Sequence, residues 1–245
     1  MFATSGTADN PPMARVVTVG GSIGGLATAL VLSGRGHHVT VLERDPDPVP
    51  LGPEEAWRAW PRRGVAHLRG THMFNARGLG ILADHLPEVL AELRAAGARE
   101  APVPGSAPGG GSAFNRLLCR RTTYEMALRT VALRRPSIRF ETGTTAVELL
   151  PGARARPGIP HVAGAQAGDG RTFPADLVVD ASGRNSGVAG WLSALGRLSA
   201  AGLEAEVRPA GDGVRVAPWT RSTAQAGPSS SGRKPRPAAP FLVSL

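Results

Sequence analysis

The chain contains very little cysteine, lysine and aromatic residue, and each shortage excludes a class of protein. Of its 245 residues, one is a cysteine (Cys119), one is a lysine (Lys234), and Phe, Trp and Tyr together make up 4%. A single cysteine excludes a disulfide within the chain and is typical of a reducing compartment, so we predict a cytoplasmic protein. We expect Cys119 to be a buried apolar side chain rather than a reactive thiol.

Long hydrophobic runs are also missing. No apolar stretch approaches the roughly 20 residues that cross a membrane, so we expect no stable membrane insertion. Residues 1–12 lack both the basic and the apolar region of a signal peptide. We predict that they form a disordered N-terminal extension, with Met13 as an alternative start of the native chain.

The formal net charge of +9 raises the question of nucleic-acid binding. Against it, the arginines are scattered along the chain, and no basic cluster is interleaved with aromatic residues. The many arginines, together with 32 glycines and 22 prolines, are typical of a GC-rich coding sequence. We therefore expect no nucleic-acid partner.

The most informative segment is residues 15–26, with the sequence RVVTVGGSIGGL. Its start predicts a strand, its glycines predict a tight turn, and the Ala- and Leu-rich continuation to residue 33 predicts a helix. This order is the dinucleotide-binding fingerprint, in which free N–H groups at the helix N-terminus bind phosphate. The residues that we predict to bind the cofactor here are Gly20, Gly21, Ser22, Ile23, Gly24 and Gly25.

Ser22 stands where the G-x-G-x-x-G pattern has its second glycine. Its Cβ narrows the approach of phosphate, and its hydroxyl is a candidate donor to phosphate in return. Glu43 ends the next predicted strand, residues 38–43, and lies 23 residues after Gly20, close to the roughly 20 that the fingerprint expects. We predict that it accepts hydrogen bonds from the adenosine ribose; the alternative is a solvated acid. Arg44 is either a ligand of a 2′-phosphate or a solvated cation.

Periodicity predicts further elements along the chain. Residues 52–69 read as irregular, whereas residues 71–83, 87–96 and 122–133 read as helices. Short strands are predicted at residues 113–120, 138–142, 146–150, 161–165 and 176–180, and a last helix at residues 188–198.

The segment from Asp180 to Ser186, DASGRNS, follows a predicted strand and carries a resemblance. It resembles the Asp-Gly type motif of FAD-dependent monooxygenases of the para-hydroxybenzoate hydroxylase-like (aromatic-ring hydroxylase) group, in a form common in actinobacterial secondary metabolism. Residues 63–72 are similar to the family segment Gly-Val-Pro-Gln-x-x-x-x-His, although Ala66 and His67 replace its Pro-Gln. Residues 119–125 resemble the arginine-plus-helix segment that contacts the flavin side in this family, with Arg121 as that arginine and Arg120 as the second choice.

The resemblance covers residues 13–198 and implies an α/β fold: a Rossmann-like three-layer FAD/NAD(P)-binding domain with a small β-rich insertion from a partial substrate domain. It adds four residues to the predicted cofactor site, namely His72, Arg121, Asp180 and Gly183. It implies that FAD hydroxylates or epoxidises a small organic substrate through a flavin C4a-hydroperoxide, with electrons from NADH or NADPH. The sequence indicates no catalytic side chain and no metal site.

Relatives continue beyond the Asp-Gly type motif to a third, Gly-Asp motif that closes over the cofactor. Here Gly211-Asp212-Gly213 comes too early, and the residues after it do not match. We therefore expect a truncated or frameshifted end, with residues 199–245 as a disordered tail. Two alternatives stay open, a non-catalytic FAD- or NAD-binding remnant and an NAD(P)-linked reductase. The sequence does not indicate an oligomeric state.

Overall fold

The computed structural model describes residues 13–65, 67–102, 115–152, 161–195 and 241–244. The strands in chain order are β1 (Arg15–Val19), β2 (His38–Glu43), β3 (Thr71–Phe74), β4 (Arg99–Pro102), β5 (Asn115–Arg120), β6 (Ile138–Thr142), β7 (Ala146–Pro151), β8 (Val162–Ala167), β9 (Thr172–Pro174), β10 (Leu177–Asp180) and β11 (Phe241–Ser244). The helices are α1 (Ile23–Gly34), α2 (Pro53–Ala59), α3 (Ala76–His85), α4 (Pro87–Ala95), α5 (Arg121–Leu133) and α6 (Val188–Ala194).

A five-stranded parallel sheet lies at the centre of these residues, in the order β11-β10-β1-β2-β6. The chain leaves β1 through α1 to β2 on one side, while β10 pairs with β1 on the other. Strand order therefore reverses beside β1, and dinucleotides bind at such a switch point, outside the carboxyl ends of the strands. Val19 at the end of β1 pairs with Leu42 and with Asp180, so the ends of β1, β2 and β10 meet at one edge.

Both faces of this sheet are covered. Successive side chains of a strand point to opposite faces, so neighbouring residues pack into different cores. Val16, Val39 and Val179 face a core that also contains apolar residues of α1, α3, α4 and α5. Val17 and Val178 face a second core formed with the antiparallel sheet β7-β8-β9 and helix α6. The result is the predicted Rossmann-like α/β arrangement of helices, parallel sheet and a small β-rich layer.

The structure corrects two predictions, the first of them through a second antiparallel sheet in the order β3-β5-β4. The helix predicted at residues 71–83 is instead β3 followed by α3, because β3 pairs with β5 and Asn75 then starts the helix by accepting a hydrogen bond from the Gly78 N–H at 2.8 Å. Residues 52–69, predicted to be irregular, contain α2. Its first turn holds Pro53 and the acids Glu54 and Glu55, which favour a helix N-terminus.

Most of the predicted tail and the predicted N-terminal extension, residues 1–12, lie outside the described residues. The exception is β11, which pairs in parallel with β10 along the outer edge of the sheet. We did not predict a strand there; its sequence, FLVS, has the β-branched and aromatic residues that suit pairing with an open strand edge.

Candidate functional site

The glycine turn between β1 and α1 is packed so closely that only glycine fits at three of its positions. Gly20 has φ +102°, and a Cβ there would collide with the carbonyl of Ala181. A Cβ on Gly25 would overlap the carbonyl oxygen of Gly20, and one on Gly21 would lie 2.9 Å from Glu43 Oε2. The sequence therefore builds a turn in which helix, strand and acid are in direct contact.

A cavity of about 140 Å³ opens at this turn. It lies at the carboxyl ends of the central strands, where the switch point predicts a ligand. Its lining comes from the turn, from β2 and from four later segments of the chain: Val19, Gly20, Gly21, Ser22, Leu42, Glu43, Arg44, Asp45, Arg62, Gly64, Val65, Thr144, Thr145, Ala146, Ala181, Ser182, Asn185, Gly187 and Trp191.

Helix α1 begins at the cavity without a side-chain cap. Ser22 is its N-cap residue, but the hydroxyl makes no hydrogen bond to the helix N–H groups. Instead, Ser22 Oγ donates to Glu125 Oε2 at 2.7 Å and accepts from Arg121 Nη2 at 3.3 Å. The hydroxyl proton is thus engaged by Glu125 rather than available to a phosphate. The first N–H groups of α1 have no side-chain partner from Ser22, which suits them to an anion.

Glu43 lies at the end of β2, as predicted, and is 4% exposed. Its Oε2 accepts from the Gly21 N–H at 3.0 Å and from Arg62 Nη2 at 2.9 Å, and its Oε1 accepts from the Asp45 N–H at 2.9 Å. Burial by itself raises the pKa of Glu43, but Arg62 and the Asp45 N–H together lower it below its usual value. The carboxylate is therefore charged at neutral pH.

Arg62 was not predicted from the sequence, although its side chain connects four parts of the site. Its side chain is 2% exposed and donates to Glu125 Oε1 at 2.6 Å, to Asp45 Oδ2 at 2.9 Å, to Glu43, and to the Gly21 carbonyl at 3.2 Å. One guanidinium thus joins the turn, β2, the loop after it and α5. Arg62 lies in a loop without periodicity, so no local signal marked it as buried.

A second buried arginine, Arg129, offsets part of the negative charge of this cluster. Three buried carboxylates, those of Glu43, Asp45 and Glu125, face the guanidinium groups of Arg62 and Arg129, and Arg129 is 1% exposed. Burial and the positive charge of Arg62 lower the pKa of Arg129, while these carboxylates raise it in part. Burial would also lower the pKa of Arg62, but Glu125 and Glu43 raise it well above its usual value. Both groups stay charged.

Asp180 and Gly183 take structural positions beside the cavity. Asp180 is buried, and its carboxylate accepts hydrogen bonds from the Ser182 N–H at 3.1 Å and from the hydroxyls of Ser182 and Ser186. Gly183 has φ +84°, which closes the same turn. These contacts shape the loop whose residues Ser182 and Asn185 line the cavity.

Arg121 contacts the glycine turn through Ser22, and neither Arg121 nor the neighbouring His72 lines the cavity. His72 on β3 packs against Phe74 and Tyr124, with ring centroids 4.6 Å and 4.9 Å away. Burial and the nearby charge of Arg121 lower its pKa, so it is neutral at pH 7. Arg121, the first residue of α5, reaches Ser22.

Among the predicted site residues, those that line the cavity are Gly20, Gly21, Ser22, Glu43 and Arg44. Arg44 is exposed and lies across Gly64, where a Cβ would collide with its guanidinium. Those that do not line it are Ile23, Gly24, Gly25, His72, Arg121, Asp180 and Gly183. Ile23 packs against the core, and Gly24 is exposed with no atom near its Cβ position. Whether these residues contact a cofactor stays a prediction.

The described part of the chain contains neither a candidate membrane-spanning helix nor a candidate metal cluster. No helix there combines the length and the apolar character needed to cross a membrane. Within the same residues, no three His, Cys, Asp or Glu side chains are grouped so that they could hold a metal ion.

Comparison with known proteins agrees with this geometry. Residues 18–80 match the family model described as an NAD(P)-binding Rossmann-like domain. No curated protein matches the chain. Among solved structures, it is similar to pqsL, a probable FAD-dependent monooxygenase from Pseudomonas aeruginosa, with a TM-score of 0.50 and 16% identity over 68% of this chain and 42% of that chain.

A mutant of the same Pseudomonas protein gives a TM-score of 0.51 at 16% identity, again over 68% of this chain and 42% of that chain. THI4 from Thermovibrio ammonificans has a TM-score of 0.50 and 19% identity over 74% of this chain and 62% of that chain. At these identities the likeness shows the fold. The chain spans about two-fifths of the length of the Pseudomonas protein and contains a Rossmann-like α/β domain.

Proposed function

We propose that this chain binds FAD and acts as a flavin-dependent oxidoreductase of the monooxygenase type. The observation that carries the proposal is the uncapped N-terminus of α1, which opens with the glycine turn onto a cavity that contains Glu43. A glycine turn alone would support any dinucleotide. The fold shared with a probable FAD-dependent monooxygenase supports FAD among them.

The site offers separate groups for the two halves of an adenosine diphosphate. The turn and the first N–H groups of α1 suit the pyrophosphate, since the helix dipole and unpaired donors both favour an anion there. The Gly20 and Gly25 positions, where no side chain fits, let the backbone come close to it.

Glu43 suits the ribose. A carboxylate has about four acceptor positions, and three of those of Glu43 are used by Gly21, Asp45 and Arg62. One position on Oε1 is therefore left by the described residues for a ribose hydroxyl. A cavity of about 140 Å³ is smaller than the roughly 300–1,000 Å³ of pockets that enclose a whole ligand. It would hold one part of the cofactor.

FAD, when bound, supplies the redox chemistry, while the residues of this chain bind and orient the cofactor. We further propose NADH or NADPH as the electron donor and a small organic molecule as the substrate. Both follow from the family resemblance of residues 13–198, and the described residues assign no side chain to acid–base or nucleophilic catalysis.

A second candidate is an NAD(P)-linked reductase, which the family-model match over residues 18–80 favours. Both candidates use the same turn and the same acid, so ligand choice must separate them. The chain would be purified and titrated with FAD, ADP, NADH and NADPH by isothermal titration calorimetry. Saturable FAD binding with flavin absorbance supports the first candidate, binding of NADH or NADPH without FAD supports the second, and binding of none overturns both.

Two glycine variants of α1 test whether FAD binds at the glycine turn. Gly25→Ala adds a Cβ that overlaps the Gly20 carbonyl, so we expect FAD affinity to fall at least about tenfold. Gly34→Ala, at the other end of the same helix, adds a Cβ with no atom within 4 Å and should bind FAD like the unmodified chain. Circular dichroism would confirm that both variants are folded.

A further inference from the structure

Ser22 occupies the N-cap of α1 but does not cap the helix, which is unusual for a serine. A serine at this position normally accepts a hydrogen bond from a helix N–H and stabilises the helix. Here the backbone is extended as in a capped helix, at φ −97° and ψ −167°, yet the side chain turns away to Glu125 and Arg121. The capping interaction is given up for contacts with α5.

Glu125 on α5 is what holds the hydroxyl. It is fully buried and lies outside the cavity lining, so it cannot contact a ligand there. A direct role is also unfavourable, because a buried carboxylate repels phosphate. Its two oxygens are divided between two partners: Oε1 accepts from Arg62 at 2.6 Å, and Oε2 accepts from Ser22 at 2.7 Å.

Arg121 completes the arrangement. It precedes Glu125 by one helical turn, and its Nη2 lies 3.7 Å from Glu125 Oε2 while donating to Ser22 Oγ. Its side chain is 22% exposed, whereas the side chain of Glu125 is fully buried. A guanidinium has five donors in a fixed fork, so Arg121 keeps donors for an anion beside the α1 N-terminus.

We propose that Glu125 is a positioning residue for the cofactor pyrophosphate: it holds the Ser22 hydroxyl, and through that hydroxyl it keeps Arg121 beside the α1 N-terminus. This inference rests on the proposed function and extends it to residues that do not reach the cavity. It also explains why serine is accepted where the fingerprint has a glycine. The hydroxyl is the link between the turn and α5.

The test compares ligands that do and do not carry the pyrophosphate. ADP and adenosine would be titrated by calorimetry into the unmodified chain and into Ser22→Ala, Ser22→Thr and Glu125→Gln. We expect Ser22→Ala to weaken ADP about tenfold, the worth of one charge-assisted hydrogen bond, and to leave adenosine unchanged. Ser22→Thr keeps the hydroxyl and should restore ADP binding. Glu125→Gln should follow Ser22→Ala.

Arg121→Gln tests the route of the effect. If Ser22 acts through Arg121, Ser22→Ala should weaken ADP binding far less in the Arg121→Gln background than in the unmodified chain. Full additivity of the two losses would overturn the inference. So would ADP binding at the unmodified level in a Ser22→Ala variant that melts normally, or equal losses for ADP and adenosine.

The outcomes also separate this inference from the proposed function. If the unmodified chain binds neither FAD nor ADP, the proposed function fails first. If it binds both and the Ser22 variants bind ADP equally well, the proposed function stands and the positioning role of Glu125 fails. If Glu125→Gln does not fold, Ser22→Ala, Ser22→Thr and Arg121→Gln still test the positioning role, because these variants leave the Arg62–Glu125 contact in place.

Discussion

Replacing Arg62 with methionine should be among the most damaging single changes in this chain. The substitution keeps an unbranched side chain but removes the guanidinium that donates to Glu43, Asp45, Glu125 and the Gly21 carbonyl. Breaking a buried ion pair from one side costs about 3–5 kcal/mol, because the remaining charge stays buried without compensation. At roughly 2–4 °C per kcal/mol for a domain of this size, the melting temperature should fall by about 6–20 °C.

The loss should depend on pH with a definite sign. In the unmodified chain the pKa of Glu43 lies below its ordinary value of 4.5, so its contribution to stability is present above that pH and is lost as pH falls through the folded-state pKa. Without Arg62, burial dominates and raises the pKa of Glu43 above 4.5. The variant is then stabilised by protonation, and its deficit should be smaller at pH 5.5 than at pH 7.5.

Urea unfolding followed by circular dichroism at the two pH values measures both effects. Arg15→Met is the matched control, since Arg15 pairs with Asp176 at 3.3 Å but the two side chains are 63% and 43% exposed. An exposed pair contributes about 1 kcal/mol or less. A deficit for Arg62→Met as small as that of Arg15→Met, or one that does not change with pH, would refute the buried-network reasoning.

Two further predictions concern single positions. Gly20→Ala should lower the free energy of unfolding by more than Gly36→Ala does. Both glycines have positive φ, but only a Cβ on Gly20 would meet a neighbouring backbone carbonyl. Thermal melts of the two variants measure the difference, and equal losses would contradict the close packing at Gly20. Tyr124 is the one tyrosine of the sequence, and burial raises its pKa to about 12. Phenolate absorbance should therefore titrate about two pH units higher in the folded chain than in urea, where a midpoint of about 10 is expected. A midpoint of about 10 in the folded chain would show that the ring is solvated.

The local part of the fold was predictable because its causes are local. The strand, the glycine turn and the helix from Arg15 to Gly34 follow from side-chain periodicity and from the positive φ that glycine allows at residue 20. Helix α5 and the strand ending at Asp180 were predicted on the same grounds. The prediction of a helix at residues 71–74 was wrong. A strand of four residues is too short to show a periodic pattern, and its partner β5 lies far away in the chain.

The candidate site likewise has one part that the local sequence predicts and another that depends on distant contacts. The sequence by itself determined the turn, the acid at the end of β2 and the Rossmann-like order of elements, since each depends on residues close together in the chain. Only the tertiary structure decided that Arg62 lies under the turn, and that Ser22 turns away from its helix toward Glu125. Arg62 is 41 positions from Gly21 and 63 from Glu125, and Ser22 is 103 positions from Glu125. These contacts depend on how α5 packs against α1 and the sheet, and no periodicity encodes which distant carboxylate a buried arginine will meet.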